Sequence, residues 1–187
     1  MNLLIAGLAL WTIGHFFKRL VPGLRAGMDS SLGVMGGKAV MGVVLLAATV
    51  MMVKGFRAAP VEIVFDPPFW GRHLNSLLMI IAVALLGLGK SKGRARTWVR
   101  HPMLWGVVVW AIAHLLVNGD LASVILFGGL GAWALVAMPL INMQEGAWNK
   151  PEAGPLSRDI RWLVISAVVF IVIVAVHTWI GPAPFGG

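Results

Sequence analysis

The histidines are the side chains of this sequence with the greatest capacity for chemistry. The chain has five of them and no cysteine or tyrosine, and its few carboxylates show no paired spacing that suits a general acid and base. Disulfides, thiolate metal sites and covalent haem attachment through a cysteine motif are therefore excluded. The imidazoles remain as candidate metal ligands.

Two of these histidines, His15 and His114, lie inside long apolar stretches. An ionisable residue within a membrane span tends to face the helix bundle and mark a functional site. Neutral imidazole is a common axial ligand of haem iron, and a bundle rich in Trp, Phe, Met and Gly can enclose a porphyrin. The pair therefore predicts a haem site, although an interhelical hydrogen bond would explain either residue equally well.

The remaining histidines lie near the ends of apolar stretches, where imidazoles commonly bond to headgroups or helix caps. They are lower-ranked cofactor-binding candidates, together with one neighbouring arginine: His73, His101, His177 and Arg100. His73, His114 and His177 are expected at similar depth, so this trio is a rival hypothesis to the pair. Copper or zinc held by histidines would usually need a third protein ligand. No catalytic residue can be assigned from these patterns.

The elements that position these side chains are predicted to be transmembrane helices. The 187 residues are 59% hydrophobic and 12% charged, whereas a soluble domain has about 25% charged residues. The apolar runs are separated by short charged or Gly/Pro-rich pieces, and about 20 apolar residues are needed to cross a bilayer. The sequence predicts an all-α, polytopic helical bundle that forms a single integral membrane domain over residues 1–187. The predicted spans number about six, at about 2–20, 37–53, 73–89, 102–118, 121–143 and 160–181.

The basic residues predict the orientation of these spans. The net charge is +8, but most Lys and Arg residues lie in the connections before the second, fourth and sixth spans. We therefore interpret them as contacts to anionic headgroups rather than to nucleic acid. The positive-inside rule places these connections in the cytoplasm and both termini on the outer, periplasmic side. We expect the first stretch to be kept as a span, because no basic region precedes it and no A-x-A site follows it.

Small residues predict close helix packing at two places. Gly33 and Gly37 form one small-xxx-small pair, and Gly128 lies four residues before Ala132. Such pairs allow helices to approach closely in a membrane. The chain shows no convincing internal repeat.

Three motifs carry a family resemblance. "GHFFKR" in the first span, "PPFWGRHLNSLLM" at residues 67–79 and "RHPMLWGVVVWAIAHLLVNGDLAS" at residues 100–123 closely resemble the NnrU family of bacterial membrane proteins. The resemblance implies a multi-pass protein of the bacterial inner membrane that is associated with nitrite and nitric oxide reduction. A non-catalytic accessory role in denitrification is one function that it implies.

NnrU proteins are in turn similar to the 15-cis-zeta-carotene isomerase, which binds non-covalent haem b through histidines. That similarity implies haem b held by His15 and, through "WAIAH", by His114, with a polyene or carotenoid-like molecule as substrate. The cysteine of the isomerase motif corresponds to Ala111 here. Exchange of a thiolate onto the iron is therefore impossible in this chain.

A second resemblance points to a different class of enzyme. "RHPMLWG", at residues 100–106, is similar to the R-H-P-x-Y-x-G segment of membrane methyltransferases that use S-adenosylmethionine. Leu104 replaces the tyrosine, and no paired glutamates follow. A methyltransferase is therefore the lesser alternative.

Overall fold

The computed structural model describes residues 1–181, and that part of the chain is helical apart from its connections and one isolated bridge between Ile63 and Asp120. The helices longer than ten residues are α1 (Asn2–Leu20), α2 (Pro22–Arg57), α3 (Gly71–Leu88), α4 (Pro102–Leu115), α5 (Leu121–Glu145) and α6 (Leu156–Ile180). All but α4 are long and apolar enough to cross a membrane. The all-α prediction is confirmed, and the protein is a multi-pass membrane protein.

The fourth predicted span is shorter in the structure than in the prediction. α4 contains 14 residues and ends at Leu115, which gives a length of about 21 Å. Just beyond this end, the backbone N–H groups of Val117 and Asn118 both donate to the His114 carbonyl. The Asn118 side chain donates to the same oxygen at 2.8 Å.

The connection predicted between the first two spans is also helical. α2 begins at Pro22, directly after Val21 ends α1, and it bends at Gly33, whose φ of 73° only glycine adopts without strain. Arg25 joins the two parts of α2, because its guanidinium pairs with Asp29 and donates to the Gly37 carbonyl. Gly33 has open space around it, so its predicted role in helix packing is wrong. Likewise, no atom of the described chain lies within 4 Å of the position that a Cβ atom on Gly128 would take.

The described chain forms two compact units, and the first contains residues 1–64 and 120–129. In this unit α1 and α2 pack antiparallel. Gly7 faces the backbone of Ala48 and Met52, and Gly55 faces the backbone of Leu4. The absence of side chains at these glycines brings the two helix backbones into direct contact.

The second unit contains residues 65–119 and the described residues after 129. α3 and α4 pack antiparallel in it, with Gly71 against the Leu116 carbonyl at one end and Gly106 against Leu86 at the other. α6 is joined to α3 by the Trp162 indole, which donates to the Ala84 carbonyl at 2.9 Å. These contacts fix the position of α4, which carries His114.

Candidate functional site

His15 lies on α1, where its own helix determines which ring nitrogen carries a proton. Its Nδ1 is 3.0 Å from the Trp11 carbonyl oxygen, one helical turn earlier. A carbonyl oxygen only accepts hydrogen bonds, so Nδ1 donates and the lone pair of the neutral ring is on Nε2. The Trp11 indole lies beside the imidazole, with ring centroids 4.2 Å apart and planes inclined by 40°.

His114 has the same local arrangement on α4. Its Nδ1 is 2.9 Å from the Trp110 carbonyl oxygen, which again places the lone pair on Nε2. The Trp110 indole lies beside the imidazole, with centroids 4.9 Å apart and an interplanar angle of 50°. Both histidines are partly buried.

The two arrangements arise from the same sequence pattern, G-x-x-x-W-x-I-x-H, which occurs at residues 7–15 and 106–114. We call these two stretches the Gly-Trp-His segments. Each segment contains the backbone hydrogen bond and the neighbouring indole that are described above for its histidine. Although whole spans show no repeat, this shorter pattern repeats both in sequence and in structure.

The glycine that opens each segment has the same role. A Cβ atom on Gly7 would lie 2.8 Å from the backbone nitrogen of Met52, and one on Gly106 would lie 3.0 Å from that of Leu86. Each segment is therefore pressed against the backbone of a neighbouring helix. Because the histidine follows the glycine by just over two turns, this contact positions the imidazole along the helix.

The sequence prediction missed the two tryptophans, Trp11 and Trp110. Tryptophan is common in membrane proteins and attracts no notice by itself. The signal that could have identified them is the identical spacing of Gly, Trp, Ile and His in both segments.

The hydrogen bonding of His15 and His114 fits the role of a haem ligand. Histidines that bind metals almost always donate their second ring N–H to a carboxylate, a carbonyl or water, which fixes the tautomer and raises the basicity of the ligating nitrogen. His15 and His114 both show this bond with a backbone carbonyl as the acceptor. In both rings the lone pair is therefore on Nε2, the atom through which a neutral imidazole in this tautomer binds a metal ion.

Arg100 and His101 have protein partners that suit a structural role. The His101 Nε2 is 2.8 Å from the Asn142 Oδ1, and the Arg100 guanidinium donates to the Gly146 carbonyl at 2.7 Å. Both bonds tie the start of α4 to residues at or just beyond the end of α5.

His73 and His177 are both exposed. Among residues 1–181, no three His, Asp or Glu side chains form a group that could hold a metal ion. His73, His114 and His177 therefore do not form a three-ligand site in the described chain.

The helices and the histidine segments define a multi-pass, all-α membrane protein with partly buried imidazoles. The family model described as "NnrU protein" matches residues 3–184, which is nearly the whole chain. The chain therefore belongs to the NnrU family, and the membership predicted from its motifs is confirmed. No curated protein and no solved structure matches it.

Proposed function

We propose that this NnrU-family protein binds haem b non-covalently in the bacterial inner membrane, and that His15 and His114 are the residues that would hold it, each through Nε2. The observation that supports this proposal is the pair of Gly-Trp-His segments, which hold two imidazoles in the same tautomer beside the same type of ring. A histidine that only bonds to a neighbouring helix needs no second copy of this arrangement. Two equivalent ligands are what a six-coordinate haem iron requires.

The residues of the chain would hold and orient the haem in defined ways. The carbonyls of Trp11 and Trp110 keep Nδ1 protonated, so that each ring coordinates through Nε2. The adjacent indoles restrict rotation of the imidazoles. Ala111 is buried and its methyl group contacts the position of Gly131, and the chain has no thiol to compete with the two histidines.

We further propose that the bound haem supports cis–trans isomerisation of a polyene double bond. Bound haem would supply iron coordination that can weaken a carbon–carbon double bond without net oxidation or reduction. His15 and His114 are the residues that would hold the haem. The bilayer delivers a hydrophobic polyene directly to the apolar helices.

Absorption spectra of the purified protein test the ligand assignment. We expect a Soret band and sharp α and β bands after reduction, as six-coordinate haem gives. His15→Ala and His114→Ala should each lose these bands or shift them, while the control His73→Ala, at an exposed position, should leave them unchanged. Identical spectra for the wild type and both ligand variants would contradict the assignment.

Conversion of a cis-polyene by the reduced protein in detergent tests the activity. We expect conversion that is lost in both ligand variants. A haem-loaded protein that converts no cis-polyene would instead support the accessory role in denitrification. A colourless protein that transfers a methyl group from S-adenosylmethionine to lipid would instead support the methyltransferase.

A further inference from the structure

The loop between α3 and α4 presents a row of unpaired cations. We call residues 90–98 the basic loop, and its sequence is "KSKGRARTW". Lys90, Lys92 and Arg94 are all exposed, and within residues 1–181 none of the three forms an ion pair. We propose that this loop is a preformed binding surface for the phosphate groups of anionic phospholipids.

The backbone of the loop sorts its residues onto two faces. Gly93, Ala95 and Thr97 are buried, whereas Lys92 and Arg94, which alternate with them, point outward. The positive charges therefore lie together on one face. Phosphate oxygens that approach this face meet several cations at once, which is the arrangement that attracts anionic headgroups.

A buried carboxylate holds the loop in this shape. Asp159 of α6 is only 6% exposed and accepts the backbone N–H groups of Arg94 at 3.0 Å and Ala95 at 3.1 Å. Gly93 packs directly against the same carboxylate. Asp159 thus bonds to the backbone of the loop and forms no ion pair with its side chains, so the loop is ordered while its cations stay available.

Exposed aromatic residues place the loop at the depth of lipid headgroups. Trp98 is 71% exposed at the end of the loop, and Phe69 and Trp70 are 93% and 55% exposed at the opposite end of the α3–α4 pair. Tryptophan collects at membrane–water interfaces. Exposed tryptophan near the loop therefore favours a lipid over a soluble ion as the source of the phosphate.

Native mass spectrometry of the full chain in neutral detergent tests this proposal, with phosphatidylglycerol as the anionic probe and phosphatidylcholine as the neutral one. The wild type should prefer phosphatidylglycerol. The triple variant Lys90→Gln/Lys92→Gln/Arg94→Gln should lose at least tenfold in phosphatidylglycerol affinity, since each cation near an anionic surface contributes about a factor of five.

A matched triple variant removes the same charge from another connection. Lys54→Gln/Arg57→Gln/Arg72→Gln should lower phosphatidylglycerol affinity less than threefold if the basic loop is the site. Equal losses in the two triple variants would overturn the proposal. Competition by inorganic phosphate, compared with chloride at equal ionic strength, would overturn the assignment to lipid.

Variants of acidic residues separate a preformed surface from general electrostatic attraction. Asp159→Asn removes a negative charge, so attraction alone predicts tighter binding of phosphatidylglycerol, whereas loss of the loop's shape predicts binding at least threefold weaker. We expect the weaker binding. Glu152→Gln removes the same charge at an exposed position and should not weaken binding. If Asp159→Asn bound phosphatidylglycerol as tightly as the wild type, or more tightly, the preformed surface would be contradicted. If Asp159→Asn does not fold, the two triple variants still test the site.

Discussion

Replacement of Gly7 by alanine should separate α1 from α2. The new Cβ atom would lie 2.8 Å from the Met52 nitrogen and 2.9 Å from the Ala48 carbonyl oxygen, whereas non-bonded heavy atoms of this kind pack best at about 3.5 Å or more. Both neighbours are backbone atoms that cannot rotate away, so α1 has to shift. Overpacking of this kind costs about 1–3 kcal/mol, and alanine regains up to ~1 kcal/mol of helix propensity. We expect the free energy of unfolding to fall by about 1–2 kcal/mol.

Thermal unfolding in detergent, followed by size-exclusion chromatography after heating, measures this effect. Gly42→Ala is the matched control, because Gly42 is also inside a helix and nothing lies within 4 Å of its new Cβ atom. That variant should be more stable than the wild type by up to ~1 kcal/mol, through helix propensity alone. The packing argument would be refuted if Gly7→Ala were as stable as Gly42→Ala. The fraction of protein that carries haem should also fall in Gly7→Ala but not in Gly42→Ala, because the shift of α1 displaces His15.

Three further substitutions, with one control, test other parts of the structure. Gly33→Ala places a side chain at a φ of 73° and should lower the free energy of unfolding by about 1–2 kcal/mol, which the same heating assay would detect. Asp120→Ala removes the cap on Ser123, whose backbone N–H donates to it at 2.9 Å, and should cost about 1 kcal/mol. Asp66→Ala, at an exposed loop position, should leave the unfolding temperature unchanged. Trp110→Leu removes the ring beside the imidazole and should reduce haem occupancy at unchanged protein yield.

Hydropathy predicted the helices well because a span needs a long apolar run, but it could not place every boundary. Residues 21–36 mix glycines with charged residues, so their average polarity suggested a connection. Residues 22–36 are nevertheless part of α2, which bends at Gly33, and the i,i+4 pair of Arg25 and Asp29 stabilises the helix before that bend. The early end of α4 depends on the bond from Asn118 to the His114 carbonyl, which an apolar pattern does not contain.

The candidate site was only partly predictable for a related reason. A polar residue inside an apolar run is visible in sequence, so His15 and His114 could be selected. Their common tautomer depends on a bond to the backbone of their own helix, which appears only in the folded chain. The partner of His101 is 41 residues away in sequence, and no local pattern connects the two.

A pyridine haemochrome assay on the freshly purified protein tests the central claim most directly. We predict about one haem b per chain, since the chain has one pair of proposed ligands. A protein that is correctly folded in detergent, expressed with sufficient haem, and still free of haem b would contradict the claim.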